Sequence, residues 1–264
     1  MNVDPSRLST AYQTARDALL DERNAEGFWV GELSSSALAT AVACIALRHV
    51  DDVKHRDTIE RGLSWLTENQ NDDGGWGDTT KSFSNISTSM LVRAAFAICN
   101  RNGPCVDRLE KYLIEKCGRT PAERAEAIRN RYGKDRTFSV PILMTCALAS
   151  LIPWHEVPRL PFELACLPQS WYRFARMPVV SYALPALIAI GQCVHHHRPT
   201  WNPITGPLRW LAKNQSLKVL RRIQPSSGGY LEATPLTAFV VMSLATSPTR
   251  KRGNEKEVID EGVP

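Results

Sequence analysis

The sequence predicts an all-α fold, and three observations support this prediction. Apolar residues recur at helical spacing, turn-forming segments separate the apolar runs, and no run alternates apolar and polar residues over the length of a strand. Leu38, Ala41 and Ile45 follow the i, i+3, i+7 spacing that places side chains on one helix face. The same spacing recurs in residues 58–70 and 85–100.

The turn-rich linkers include NDDGGWGD, RNGP, RPTWNPITGP and QPSSGGY. Helices joined by such turns are typical of an array of antiparallel helix pairs. We therefore predict one helical domain over residues 1–246. Residues 247–264 are rich in charge and contain few apolar side chains, so they are predicted to form a disordered charged tail.

Composition excludes several classes of protein. The 264 residues are 43% hydrophobic and 22% charged, which is typical of a folded globular chain. The net charge of +5 is not concentrated in one segment, so nucleic-acid binding is not predicted. The start shows no secretory signal, and each long apolar run is shorter than the ~20 residues that span a bilayer. A cytoplasmic protein without a cofactor is predicted.

The cysteines give no sign of a disulfide framework or a metal site. Seven are present and none has CxxC spacing, which favours small buried side chains in a reducing compartment over disulfides or zinc ligation. Cys193 is followed closely by three consecutive histidines, His195–His197. Because adjacent histidines on a helix cannot all face one ion, we predict an exposed helix end and no metal.

One segment combines a helix, a glutamine, a glycine and a tryptophan at fixed spacing. The helical part contains the basic residue Arg61 and the aromatic residue Trp65, and the turn contains Gln70, Gly74 and Trp76. Gln70 falls where the helix ends, so its amide can bond exposed backbone groups. Gly74 permits a turn that a side chain would resist, and Trp76 can pack beside the glutamine.

Weaker copies of this segment occur elsewhere. Gln224, Gly228 and Tyr230 repeat the turn, with tyrosine in place of tryptophan. Gly27 and Trp29 repeat its second half, but Arg23 stands where a glutamine is expected. Trp210 with Gln215 repeats only the helical half.

This pattern resembles the QW motif of the squalene-hopene and oxidosqualene cyclases, and the resemblance extends over roughly residues 10–246. It implies an α/α-barrel (toroid) of antiparallel helix pairs, here incomplete, because the family's polypeptides contain two barrels and are more than twice as long. The resemblance also implies a squalene-like isoprenoid substrate, cyclised to hopanoid triterpenes. The QW residues are expected to be structural and are Arg61, Trp65, Gln70, Gly74, Trp76, Gln224, Gly228 and Tyr230.

The family's catalytic acid is missing from this sequence. Members protonate an alkene with an aspartate of a D-x-D-D motif, and no such motif occurs here. The acidic pairs Asp51-Asp52 and Asp72-Asp73 are predicted to lie in solvated turns or helix caps. We therefore assign no catalytic residue and leave open whether the chain is an enzyme. A shortened or interrupted reading frame is expected.

Aromatic residues cluster in the middle of the chain. They are Trp154, Phe162, Trp171, Tyr172, Phe174 and Tyr182. These side chains are candidates for the wall of a cavity or for a membrane-facing entrance, and ordinary core packing is the alternative. Arg159, Arg173 and Arg176 beside them fit an interfacial patch, so peripheral contact with the cytoplasmic membrane face is a further expectation.

Three functional readings remain open at the level of sequence. The leading one is a cyclase-family polypeptide that is inactive alone and that pairs with a second barrel chain or with another copy of itself. The second is a non-catalytic lipid-binding or scaffold module. The third is independent catalysis through an unrecognised acid.

Overall fold

The computed structural model describes residues 4–31, 34–167, 184–246 and 254–263, and every regular element within these ranges is a helix. The all-α prediction is confirmed. The α-helices are α1 Pro5–Asp21, α2 Ala37–Asp51, α3 Arg56–Glu68, α4 Ile86–Ile98, α5 Pro104–Cys117, α6 Pro121–Tyr132, α7 Arg136–Leu148, α8 Leu184–His197, α9 Thr205–Arg222, α10 Thr234–Ala245 and α11 Asn254–Gly262. Short 3₁₀ helices span Trp154–Glu156, Phe162–Cys166 and Tyr230–Glu232.

The chain divides into two compact units, Met1–Ser35 and Ser36–Pro264, whereas the sequence predicted one domain over residues 1–246. The first unit contains α1, which begins at a proline after the N-cap Asp4. The Asp4 carboxylate accepts a hydrogen bond from the Ser6 backbone N–H at 3.0 Å, as an N-cap residue should. No residue of α1 is buried.

Five helices of the second unit form an inner set. The helices α2, α4, α7, α8 and α10 contact one another in this order, and α10 also contacts α2. Their sequences are apolar around most of the circumference, which is typical of helices with neighbours on several sides. The core therefore lies among these five helices.

The other helices of this unit lie outside the inner set and are less hydrophobic than the inner helices. Helix α3 contacts α2 and α4, α5 contacts α4, α6 contacts α7, α9 contacts α8, and α11 contacts α10. In α3, only Ile59, Leu63 and Leu66 are buried, so one face packs inward and the remainder is polar. Inner and outer helices alternate along much of the chain, which is the α/α-type arrangement that the resemblance implied.

An ion-pair network joins three of these helices. Glu110 on α5 pairs with Arg93 on α4, and with Arg124 on α6 at 2.6 Å. Burial alone would raise the pKa of Glu110, but the hydrogen bonds from Arg124 and Arg93 outweigh it and lower that pKa. The carboxylate thus holds two outer helices against one inner helix.

The prediction of a disordered tail is wrong over Asn254–Gly262, which forms α11. Val258 and Ile259 are 0% and 3% exposed, so this short helix buries both of its central apolar side chains. Arg221 on α9 also pairs with Glu257 at 3.3 Å and with Glu261. This segment has few apolar residues, but it folds because the rest of the chain provides a groove in which those residues are buried. Residues 247–253 lie outside the described ranges.

The cysteines are free thiols. Burial raises the pKa of the Cys44 and Cys146 thiols to about 12, so both stay protonated at neutral pH. Within the described parts of the chain, no helix combines the length and the apolar character needed to cross a membrane.

Candidate functional site

The first glutamine turn joins the end of α3 to the start of α5. The Gln70 side-chain Nε2–H donates to the Gly74 carbonyl at 2.8 Å and to the Cys105 carbonyl at 2.9 Å. Gly74 has φ +87°, and a Cβ at this position would lie 2.7 Å from the Arg108 carbonyl oxygen. The turn therefore requires glycine for both its conformation and its close approach to α5.

Trp76 closes the same turn against α4. Its side chain is 1% exposed, and its indole Nε1–H donates to the Leu66 carbonyl at 3.0 Å. The ring meets Phe96 edge-to-face at 5.9 Å, and its backbone N–H donates to the Ser89 hydroxyl at 3.0 Å. Trp76 thus links α3 to α4 through both polar and apolar contacts.

The second glutamine turn has the same geometry. The Gln224 Nε2–H donates to the Gly228 carbonyl at 2.9 Å and to the Val258 carbonyl of α11 at 3.2 Å. The Tyr230 hydroxyl donates to the Leu220 carbonyl, ten residues earlier, as the Trp76 indole does to Leu66. Tyrosine therefore replaces tryptophan without loss of the hydrogen bond.

Helix α11 stands in the same register to the second turn as α5 does to the first. In each case the glutamine Nε2–H donates to one backbone carbonyl of the helix. The turn glycine lies against the backbone carbonyl three residues further along the same helix. These carbonyls belong to Cys105 and Arg108 in α5, and to Val258 and Glu261 in α11. The C-terminal segment is therefore the outer helix of a repeat.

A third turn occurs in the Met1–Ser35 unit. The Arg23 Nε–H donates to the Gly27 carbonyl at 2.7 Å, and the Trp29 Nε1–H donates to the Leu19 carbonyl, again ten residues earlier. Gly27 has φ +89°, and the Arg23 guanidinium lies 5.6 Å from the centre of the Trp29 ring. A guanidinium N–H here donates where the amide N–H of glutamine does in the other turns.

The remaining predicted members of the motif do not join these contacts. Arg61 is exposed and lies 3.4 Å from the Thr58 hydroxyl. Trp65 is half-buried, and its backbone carbonyl accepts from Asn69 at the end of α3. Trp210, from the helical copy, is 77% exposed. The turn itself, rather than the preceding helix, thus carries the repeated geometry.

The predicted aromatic wall is described only in part. Trp171, Tyr172, Phe174 and Tyr182 lie outside the described residues. Phe162 is 3% exposed, and its ring centre lies 5.7 Å from the Arg209 guanidinium carbon, so its side chain is buried. Trp154 stacks on His197 with ring centres 4.1 Å apart.

The acidic pairs occupy structural positions. The Asp51 carboxylate accepts from the backbone N–H of Val53 and Lys54 at 3.1 and 3.0 Å, and the Lys54 bond is the main reason that the pKa of Asp51 is lowered. The Asp73 carboxylate accepts from Gly75 N–H and from the Ser84 hydroxyl. Within the described ranges, no group of three histidine, cysteine or acidic residues could hold a metal ion.

A buried ion pair was missed by sequence reasoning. The Arg209 Nε of α9 lies 3.1 Å from the Glu163 Oε1, and the two side chains are 9% and 10% exposed. Arg209 also donates to the Leu160 carbonyl at 3.3 Å. The sequence did contain a signal, because Glu163 is the last acidic residue before a stretch of 68 residues without any.

Substitution of Gly228 by alanine is expected to loosen α11. A Cβ there would lie 1.9 Å from the Glu261 carbonyl oxygen, and alanine disfavours the φ of +82°. We expect a loss of more than about 1 kcal/mol in stability, measured by urea unfolding, and faster hydrogen exchange at the amides of α11.

Gly133→Ala is the matched control for that substitution. Gly133 also has a positive φ, but a Cβ there would have no neighbour within 4 Å. Gly133→Ala therefore measures the cost of placing alanine at a positive φ, without the steric clash that Gly228→Ala adds. Unchanged protection of α11 in Gly228→Ala would contradict the assigned register.

Comparison with known proteins agrees with this geometry. Residues 12–99 match the squalene-hopene cyclase N-terminal domain family, over a stretch that includes the first and third turns. A probable squalene–hopene cyclase of Sinorhizobium fredii is 27% identical over 189 residues, which cover 71% of this chain and 27% of that protein. The squalene–hopene cyclase of Alicyclobacillus acidocaldarius is 26% identical, with coverage of 69% and 28%.

A squalene hopane cyclase of Aspergillus fumigatus is 29% identical over 66% of this chain and 21% of its own length. The matched stretch thus spans about a quarter of the length of these relatives. Among solved structures, a protein from Actinoplanes superposes with a TM-score of 0.41 at 15% identity, over 96% of this chain and 78% of that one, a likeness too weak to carry an argument. On the family match and these relatives, the chain is similar to the squalene-hopene cyclase N-terminal domain family over residues 12–99, about a third of its length.

Proposed function

We propose that this chain is the non-acidic helical domain of a squalene-type cyclisation system and does not protonate the substrate itself. One observation carries the proposal: a chain whose residues 12–99 match the squalene-hopene cyclase N-terminal domain family contains no D-x-D-D motif in its 264 residues. Three of the relatives it matches are named as squalene–hopene or squalene hopane cyclases, and each is several times longer than the matched stretch.

Alkene protonation needs a carboxylic acid that holds its proton until the substrate arrives. Such an acid lies where burial or a neighbouring carboxylate raises its pKa. Among the described carboxylates, Asp51 and Glu110 are instead stabilised in the ionised form, as their lowered pKa values indicate. These residues support the fold, and the proton donor is assigned to a partner.

The partner we propose is a second chain that contains the acid barrel, and the substrate is a squalene-like isoprenoid hydrocarbon. Contact with the cytoplasmic face of a membrane belongs to the same proposal, because such a hydrocarbon dissolves in the bilayer and not in water. What this chain would contribute is a rigid helical wall, since its turns hold neighbouring outer helices together through hydrogen bonds from Gln70 and Gln224.

Incubation of the purified chain with squalene tests this proposal. We expect no polycyclic product by gas chromatography–mass spectrometry, whereas the Alicyclobacillus cyclase under the same conditions should yield one. We also expect squalene in detergent micelles to quench the tryptophan fluorescence of this chain. Polycyclic product that persists in Asp51→Asn and Asp72→Asn variants would contradict the proposal, and so would the absence of both product and binding.

A non-catalytic lipid-binding or scaffold module is the second candidate, favoured by the same lack of an acid motif. Sedimentation with squalene-containing liposomes discriminates between the two forms of this candidate. A lipid-binding module should pellet with the liposomes, and a pure scaffold should stay in solution.

A further inference from the structure

A polar cavity lies where the C-terminal ends of α2 and α4 meet the N-terminal half of α3. Its volume is about 310 Å³, which is at the lower end of the range for small-molecule sites. Most of its wall is charged, and the residues that line it are Arg48, Asp52, Arg56, Ile59, Glu60 and Cys99. A squalene-like hydrocarbon would leave these charges without partners, so the cavity suits a different kind of molecule.

The cavity has an excess of positive charge. Asp52 pairs with Arg48 in the last turn of α2, and Glu60 lies 3.5 Å from the guanidinium of Arg101, just beyond the wall. Arg56 forms no ion pair with any residue that the structure describes. Three guanidinium groups therefore face two carboxylates, and one positive charge is left unbalanced.

The backbone at Arg56 also favours an anion. Arg56 is the first residue of α3, and the N-cap residue His55 makes no side-chain hydrogen bond to the first turn. The N–H groups of this turn therefore lack the acceptor that a capping side chain supplies. Asp57 lies in the same turn but does not line the cavity. The partial positive charge of the helix N-terminus adds to that of the Arg56 guanidinium.

The rest of the wall offers hydrogen-bonding groups and little apolar surface. Burial raises the pKa of the Cys99 thiol to about 11, an effect that Arg48 opposes and Glu60 strengthens. Cys99 is therefore a neutral thiol at pH 7 and does not change the charge of the cavity. Ile59 contributes the aliphatic part of the wall. A ligand here meets guanidinium donors and carboxylate acceptors on most sides.

We propose that this cavity binds a small hydroxylated monocarboxylate. The ligand carboxylate accepts from Arg48 and Arg56, because the forked N–H groups of a guanidinium match a carboxylate. The ligand hydroxyls donate to Asp52 and Glu60, each of which pairs with one arginine and has lone pairs left. A monoanion balances the single excess positive charge. The proposal does not depend on the proposed catalytic role.

Isothermal titration calorimetry of the full chain with gluconate tests the site. Sorbitol has the same carbon chain with an alcohol in place of the carboxylate, and hexanoate keeps the carboxylate but has no hydroxyls. We expect gluconate to bind at least ~10-fold more tightly than either, because each control lacks one of the two kinds of group that the wall binds. Absence of gluconate binding, or equal affinity for sorbitol or hexanoate, overturns the proposal.

Two arginines of α3 give a matched pair of variants. Arg56→Gln removes the unpaired guanidinium of the cavity and should weaken gluconate binding at least ~10-fold. Arg61→Gln is the control, since Arg61 is exposed on the same helix and does not line the cavity, and it should keep the native affinity. Both positions are exposed, so the far-UV circular dichroism should be unchanged. Equal affinities of the two variants for gluconate would contradict the proposed contact.

Alkylation of Cys99 locates the ligand independently of these variants. Iodoacetamide labelling followed by peptide mass spectrometry should show that gluconate slows the reaction of Cys99 about 5-fold at about four times its Kd, since only the unoccupied site reacts. Cys166 is the control, because it is also half-buried but does not line the cavity, and its rate should not change. Gluconate binding without protection of Cys99 would place the ligand elsewhere and overturn the proposal.

Discussion

Substitution of Trp76 by alanine is expected to lower the free energy of unfolding by about 3–5 kcal/mol. The side chain is 1% exposed and packs edge-to-face on Phe96, so its removal leaves a large cavity between α3 and α4. The substitution also deprives the Leu66 carbonyl of the indole N–H that lies 3.0 Å away. Urea unfolding followed by far-UV circular dichroism measures the effect.

Two further variants separate the causes of that effect. Trp76→Phe keeps most of the apolar volume but loses the hydrogen bond, so we expect a smaller loss, about 1–3 kcal/mol. Trp201→Ala is the exposed control, because Trp201 is 94% exposed, and its effect should stay within about 0.5 kcal/mol. Equal effects at Trp76 and Trp201 would show that the turn does not hold the helices as described.

Substitution of Glu163 by alanine is expected to cost about 3–5 kcal/mol, because it leaves the buried Arg209 guanidinium without its carboxylate. The Arg209 side chain is 9% exposed and, among the described residues, would retain only the Leu160 carbonyl as a hydrogen-bond partner. The measurement is again the free energy of unfolding in urea. The loss should exceed that of any exposed ion pair in this chain.

The control for Glu163→Ala is Asp17→Ala, which removes the Arg16–Asp17 pair at 2.7 Å on the exposed surface of α1. Such pairs contribute about 0–1 kcal/mol. Combining Glu163→Leu with Arg209→Met should recover most of the lost stability, since removing both charges leaves none unpaired. A double variant as unstable as Glu163→Ala would mean that the pair is not what stabilises this region.

The turn at Gln70 was predictable because its parts are close in sequence. Gln70, Gly74 and Trp76 lie within seven residues, and the chemistry of an amide, a glycine and an indole fixes most of their contacts. The turn at Arg23 was harder to predict, because arginine breaks the residue pattern while preserving the donor N–H. The geometry of the turn thus requires a donor N–H at this position, and glutamine is not the only residue that supplies one.

The sequence by itself determined that this chain is helical, where the first turn lies and which catalytic motif is lacking, because helical periodicity and short motifs are local properties. Only the tertiary structure decided that the charged C-terminal segment forms an outer helix, and that Glu163 pairs with Arg209. Both outcomes depend on groups far apart in the chain. The α11 helix needs the groove beside α9 and α10 and the Arg221 ion pairs, and the buried salt bridge joins residues 46 positions apart. Local composition does not encode such partners, since the free energy of each contact depends on what the fold places opposite it.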